Sequence, residues 1–387
     1  MSKIGIVTGT RAEYGLLKTI IEKVNASDSM ELQLVVTGMH LSPEFGLTYQ
    51  EIEQDGYPIT TKIEMLLSSD TSVGITKSMG LAMISFADYY EVHKPDIVII
   101  LGDRYEMLAA ASAAMIANVP IAHIGGGELT EGAVDEAIRH SITKMSHLHF
   151  TTTEEYRNRV IQLGEHPSKV YNVGALGVEN IKSLSLWDKE KLEKSLGFHL
   201  SKKVLMVTYH PVTLENMSAE EQFSNLLTVL DKYQEYQVIF TKGNADTGGR
   251  IINQMIDDYV EKNSERCIAF VSMGQIRYLS ALQFCSMVVG NSSSGIIEAP
   301  SFHIPTINIG DRQKGRICAK TVISCGSAVS DMEEAFKKAK NQIFFKEISK
   351  AKNPYEGNET SKRIVDIIDN ALDEGIEIKK SFYDIKL

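Results

Sequence analysis

Asp96-Ile97-Val98-Ile99-Ile100-Leu101-Gly102-Asp103 is an unbroken aliphatic run closed by a glycine and a carboxylate. Such a run predicts a strand buried on both faces, as parallel sheets require. An alanine-rich helical stretch over 107–117 follows, and then Val119-Pro120-Ile121-Ala122-His123-Ile124-Gly125. The same order returns about 185 to 188 positions later. There Ser286-Met287-Val288-Val289-Gly290-Asn291 leads into a helical segment and Ile304-Pro305-Thr306-Ile307-Asn308-Ile309-Gly310. Each passage reads strand, Gly, Asp or Asn, helix, Pro, strand, Gly. More loosely, 4–11 matches 204–211.

Further apolar runs at 4–8, 32–37, 204–208 and 238–241 alternate with amphipathic stretches, which is the pattern of parallel α/β domains. The expectation is an α/β protein of two Rossmann-like domains facing each other across a cleft. The first spans 1–178 and the second 179–358, with 359–387 forming a helix and tail that return to the first. A chain of 387 residues exceeds one ordinary core, which agrees with two domains. Ligands of open parallel sheets sit beyond the carboxyl ends of strands, and the polar motifs of this chain all fall there.

A net charge of −10 argues against non-specific nucleic-acid binding, so a phosphorylated ligand would need locally placed arginines. The four cysteines form no C-x-x-C pair and read as reduced cytosolic thiols. No metal-ligand spacing appears among histidines and cysteines. The first residues read as a strand rather than a signal peptide, and the apolar stretch at 107–117 is too short to span a bilayer. The expected setting is soluble and cytoplasmic, without a membrane partner.

The motif Gly290-Asn291-Ser292-Ser293-Ser294-Gly295-Ile296-Ile297-Glu298 sits at a strand end and opens into a potential helix. Its amides, its hydroxyls on Ser292, Ser293 and Ser294, and a helix dipole form an anion cradle, with Glu298 one turn on for vicinal hydroxyls. A plain helix N-cap is the alternative. Gly9-Thr10-Arg11-Ala12-Glu13-Tyr14-Gly15 is neither G-x-G-x-x-G nor a Walker A loop. Arg11 at a helix start calls for an anionic partner, either a phosphate or a surface carboxylate. In Gly102-Asp103-Arg104, Asp103 is either a paired functional carboxylate or an N-cap, and Arg104 is a second phosphate candidate. Glu128 after the 125–127 glycines and Asp135 on the next helix are spaced to converge on a sugar. His140, His147 and His149 read as packing residues. His210 before Pro211 is held extended, as a proton shuttle or a structural histidine. Arg312, Lys314 and Arg316 put three cations in a loop at a strand end.

Together with Thr37-Gly38-Met39-His40, these motifs resemble the UDP-N-acetylglucosamine 2-epimerases over nearly the whole chain, and most closely the hydrolysing branch of bacterial sialic acid synthesis. The resemblance implies a GT-B-like fold and elimination of UDP from UDP-N-acetylglucosamine to 2-acetamidoglucal. Hydration then gives N-acetylmannosamine. It implies Asp103, Glu128 and Asp135 as acid–base groups, His210 at the leaving group or sugar, and His40 near the hexose. Arg11, Arg104, Ser292, Ser293, Ser294, Glu298, Arg312 and Arg316 would hold UDP, with no cofactor and no metal. Relatives are commonly homo-oligomers, dimers or tetramers. Where many relatives carry a glutamate two residues after the motif histidine, this chain has Gly125, and Glu128 is the substitute. Rival readings are a non-hydrolysing epimerase, a hydrolysing epimerase of a UDP-diacetamido-trideoxyhexose, a GT-B glycosyltransferase and a non-catalytic UDP-sugar sensor.

Overall fold

The computed structural model describes residues 1–387 except 68, 70, 132, 213–216, 244–248, 386 and 387. Thr213, the last residue of the motif around His210, therefore lies outside the described residues. The chain divides into two compact units. Unit 1 comprises Met1–Glu128, Asp135–Asn180 and Tyr355–Leu387; unit 2 comprises Leu129–Val134 and Ile181–Pro354.

Unit 1 is built on β1 (Ser2–Thr8), β2 (Met30–Thr37), β3 (Ile59–Ile63), β4 (Ile97–Leu101), β5 (Ile121–Ile124), β6 (Leu148–Thr151) and β7 (Val170–Asn172). All pairings are parallel, in the order β3-β2-β1-β4-β5-β6-β7. Unit 2 holds β8 (Val204–Thr208), β9 (Gln237–Thr241), β10 (Cys267–Phe270), β11 (Met287–Gly290), β12 (Thr306–Ile309) and β13 (Val322–Cys325). Their order, β10-β9-β8-β11-β12-β13, is the same winding. Both halves are thus Rossmann-like, and the duplicated passages are β4 with β5 and β11 with β12.

Successive side chains of a strand leave opposite faces of the sheet, and the core divides accordingly. Ile4, Ile6, Ile97 and Ile99 face a layer containing Leu17, Ile20 and Ile21 of helix Arg11–Asn25 and Ile364 and Ile368 of helix Thr360–Glu374. Val7, Val98 and Ile100 face the opposite layer, formed by helices Ser72–His93 and Tyr105–Ile116. Unit 2 repeats the division, with Leu205 and Val207 on one side and Val204 and Met206 on the other. Among the described residues, no helix is long and apolar enough to cross a membrane. The four cysteines are free thiols.

In each unit the winding reverses beside the first strand. The switch points therefore lie between β1 and β4 and between β8 and β11, where a doubly wound sheet leaves a crevice at its carboxyl edge. Gly9 and Gly102 stand at the first, and His210 and Asn291 at the second.

Candidate active site

In unit 1, helix Arg11–Asn25 begins with a capping box. Thr10 accepts from the Glu13 amide, and Glu13 Oε2 accepts from the amides of Gly9 at 2.8 Å and Thr10 at 3.1 Å. Arg11 meets a protein carboxylate, with its Nε 2.6 Å from Glu51 Oε2 in a partly exposed pair. His40 is fully buried, and its ring nitrogens lie 3.0 Å from the Thr8 hydroxyl and 2.8 Å from that of Thr48. Burial pushes its pKa down to about 4, so it is neutral at pH 7. A bond from this ring to a sugar would require one of those contacts to break.

Asp103, just beyond β4, pairs with Arg139, which is only 1% exposed. The guanidinium also donates to the Glu128 main-chain oxygen at 2.9 Å and to Glu136 Oε2 at 3.3 Å. One buried cation thus orients Asp103 and anchors the backbone of Glu128. The Glu128 side chain is itself buried and accepts from the Thr152 hydroxyl at 3.0 Å. Asp135, the half-buried first residue of helix Asp135–Met145, lies four positions before Arg139 on the same helical face. Arg104 Nε donates to the buried carboxylate of Glu106 at 2.7 Å.

His123, on β5, donates from Nε2 to the Gly102 carbonyl at 2.8 Å, which leaves Nδ1 to accept from Thr143 at 3.1 Å. Burial depresses its pKa to about 3, which keeps the ring neutral and the loop before Asp103 fixed. Gly125 has φ +87°, a left-handed backbone that disfavours a glutamate. The packing assignment of the remaining histidines fits their contacts. His140 meets Glu136, His147 meets the main chain, and His149 meets Glu165.

In unit 2, Asn291 organises three strand ends. Its side chain binds both main-chain groups of His210, and its own carbonyl accepts from Arg312 at 3.1 Å and Gln313 at 2.9 Å. Gly290 is the residue that allows this approach, since a Cβ there would stand 1.9 Å from the Thr208 carbonyl oxygen. His210 is nine-tenths buried. Arg316 Nε donates to the Leu129 carbonyl at 3.2 Å.

The serine cradle departs from expectation in one respect. The helix after β11 is a single turn, Ser294–Ile297, and passes into a 3-10 turn, Ala299–Phe302, because Pro300 cannot continue it. Several of its amides are already spent locally, Gly295 on Ser292 and both Ile296 and Ile297 on Ser293. The dipole contribution is correspondingly small, and the side chains of Ser292, Ser293, Ser294 and Glu298 are half-buried. The Ser294 hydroxyl lies beside that of Tyr278 without meeting hydrogen-bond geometry, and nearby Glu298 adds to the burial that raises the Tyr278 pKa.

The sequence reading did not single out Arg139, Thr152, Tyr278, Asn291 or Glu106 as site residues. Asn291 stood inside a quoted motif, whereas Tyr278 and Thr152 carried no local signal.

A family profile described as UDP-N-acetylglucosamine 2-epimerase matches residues 22–369. The chain is 46% identical, over 88% of each sequence, to a protein of Campylobacter jejuni named GDP/UDP-N,N'-diacetylbacillosamine 2-epimerase (hydrolyzing). It is 39% identical to polysialic acid biosynthesis protein P7 of Escherichia coli, over 100% of this chain and 98% of that one. The solved structure of the Neisseria meningitidis UDP-GlcNAc 2-epimerase bound to UDP-GlcNAc has the same fold, with a TM-score of 0.79 at 20% identity over 95% of this chain and 99% of that one. With this match across nearly its full length, and with hydrolysing enzymes among its relatives, the chain belongs to the hydrolysing branch of the UDP-N-acetylglucosamine 2-epimerase family.

Proposed function

We propose that the protein releases UDP from a UDP-2-acetamido sugar and inverts C2, by elimination followed by hydration. A carboxylate removes the C2 proton, the C1–O bond breaks, and its electron pair leaves with the diphosphate. Water then adds its oxygen at C1, and a carboxylic acid returns a proton to the opposite face of C2. Asp103, Glu128 and Asp135 are the acid–base groups of this reading. His210 serves the leaving group or the sugar, and His40 lies near the hexose. Arg11, Arg104, Ser292, Ser293, Ser294, Glu298, Arg312 and Arg316 hold UDP, where preorganised donors stabilise the departing charge. The observation that carries the reading is Arg139, whose single buried guanidinium orients Asp103 and anchors Glu128.

Two sugars divide the substrate class. The motif resemblance points to UDP-N-acetylglucosamine and N-acetylmannosamine as substrate and product. The 46% identity to the Campylobacter protein favours UDP-N,N'-diacetylbacillosamine as a second reading. The reading includes a cytoplasmic homo-oligomer, dimer or tetramer, to be checked by light scattering.

Proton NMR of the purified protein with each UDP-sugar in D2O tests the proposal. Free UDP together with a C2-deuterated, C2-inverted sugar is the expected result, and the sugar turned over faster identifies the substrate. Retention of UDP on an epimerised sugar would move the protein to the non-hydrolysing reaction. Absence of turnover with either sugar would overturn the reading.

A further inference from the structure

Beneath the β1–β4 switch point lie two buried carboxyl groups to which the proposed reaction gives no part. Glu106, 1% exposed, packs so closely on Gly9 that a Cβ there would come within 2.7 Å of its Oε1. The amide of that same Gly9 donates to Glu13. Glu106 Oε1 accepts from Arg104 Nε, while Glu106 Oε2 is buried and meets no hydrogen-bond donor among the described residues. The two carboxyl groups thus flank Gly9; Arg104 pairs with Glu106, and its field also reaches Glu13. Two buried carboxylates beside Arg104 make a costly arrangement that a proton on Glu13 relieves.

We propose that Glu106 and Glu13 are positioning residues, a buried carboxyl pair flanking Gly9 that presents Arg104 and the Gly9-Thr10-Arg11 loop to the diphosphate. The proposal rests on the UDP-sugar reading given above. Glu106 sets the direction of Arg104 from one side. Glu13 fixes the Gly9 and Thr10 amides from the other, so the two loops share one support. Burial first, and then repulsion from Glu106, raises the Glu13 pKa to about 7, against the opposing pull of Arg104 and of the Gly9 and Thr10 amides. Arg11, two positions earlier on the same helix, is paired with Glu51 at 2.6 Å, and His40, whose amide donates to the Gly9 carbonyl at 3.3 Å, is neutral at pH 7. Below neutrality the pair with Arg104 is close to balanced in charge. As pH rises through about 7, Glu13 ionises and places an extra negative charge behind the loops that meet the phosphates. Affinity for an anionic ligand then falls.

The test is isothermal titration calorimetry with UDP at pH about 6 and about 8.5, on the unaltered protein, Glu106→Gln and Glu13→Gln. The terminal phosphate of UDP titrates equally in all three, so differences between them report the protein's own proton. Glu106→Gln should weaken UDP binding roughly tenfold at the lower pH, through loss of the charged anchor of Arg104. With the repulsion gone, its remaining decline should move to lower pH. Glu13→Gln should lose the part of the pH dependence that the unaltered protein shows beyond UDP's own. If Glu106→Gln fails to fold, the Glu13→Gln series decides alone. A pH dependence in Glu13→Gln parallel to that of the unaltered protein overturns the proposal, as does UDP affinity in Glu106→Gln within about twofold of normal at both pH values. Failure of the unaltered protein to bind UDP would overturn the UDP-sugar reading as well, which separates the two failures.

Discussion

The side-chain amide of Asn291 grips the main chain of His210 from both sides. Oδ1 accepts from the His210 N–H at 2.7 Å and Nδ2 donates to the His210 carbonyl at 2.8 Å. Asparagine is suited to this because it offers an acceptor and a donor in one plane. Asn291→Asp keeps the acceptor but sets an oxygen against the His210 carbonyl. This variant should lose about 2–3 kcal/mol of stability and at least roughly tenfold in kcat. Thermal melts and steady-state kinetics check it; unchanged kcat would show that the pose of His210 is unimportant to turnover.

Asp103→Asn and Glu128→Gln should each lower turnover by about 100-fold or more, with UDP binding retained. Asp103→Asn also removes a negative partner from the buried Arg139, so it should cost about 1–3 kcal/mol of stability that Glu128→Gln does not. Turnover near normal in Glu128→Gln would remove it from the acid–base roles.

Gly125→Glu introduces the glutamate that the motif resemblance leads one to expect at that position. The φ of +87° there makes a side chain unfavourable, and the expected cost is about 1–2 kcal/mol with no gain in activity. A variant of unchanged melting temperature and increased kcat would contradict this account of the loop.

Acid stability should depend on Glu165. Its burial would raise its pKa, but hydrogen bonds from His149 at 3.0 Å, Lys144 at 2.7 Å and Lys380 outweigh that and lower it to about 2. A depressed carboxyl contributes stability that is complete above its ordinary pKa of 4.5 and is lost as pH falls from there to about 2. The contribution is about 3 kcal/mol. Glu165→Gln should therefore unfold more easily at pH 7 and show a shallower loss between pH about 4.5 and 2. Chemical denaturation across that range measures both. Parallel curves for the two proteins would remove Glu165 as the source.

The strands at the centre of each sheet were legible in the chain because they are buried on both faces and so read as aliphatic runs. β4, β5, β8 and β12 begin and end where those runs do. The edge strands β3, β7, β10 and β13 left no such trace. Each is partly exposed, with one neighbour instead of two, and its residues are mixed. β6 was hidden for another reason, since His149 and Thr151 are polar yet fully buried, with His149 Nε2 bonded to Glu165 and the Thr151 hydroxyl to the Tyr171 carbonyl. The site motifs were visible locally because strand ends, glycines and caps are short-range features. Their partners were not: Arg139 meets Asp103 across 36 positions and Asn291 meets His210 across 81. Such pairings follow from which strands lie side by side and in what register. The sequence by itself therefore determined two wound sheets and the loops that carry chemistry. Only tertiary structure decided which cation orients each carboxylate, because that choice depends on distances between residues remote in the chain.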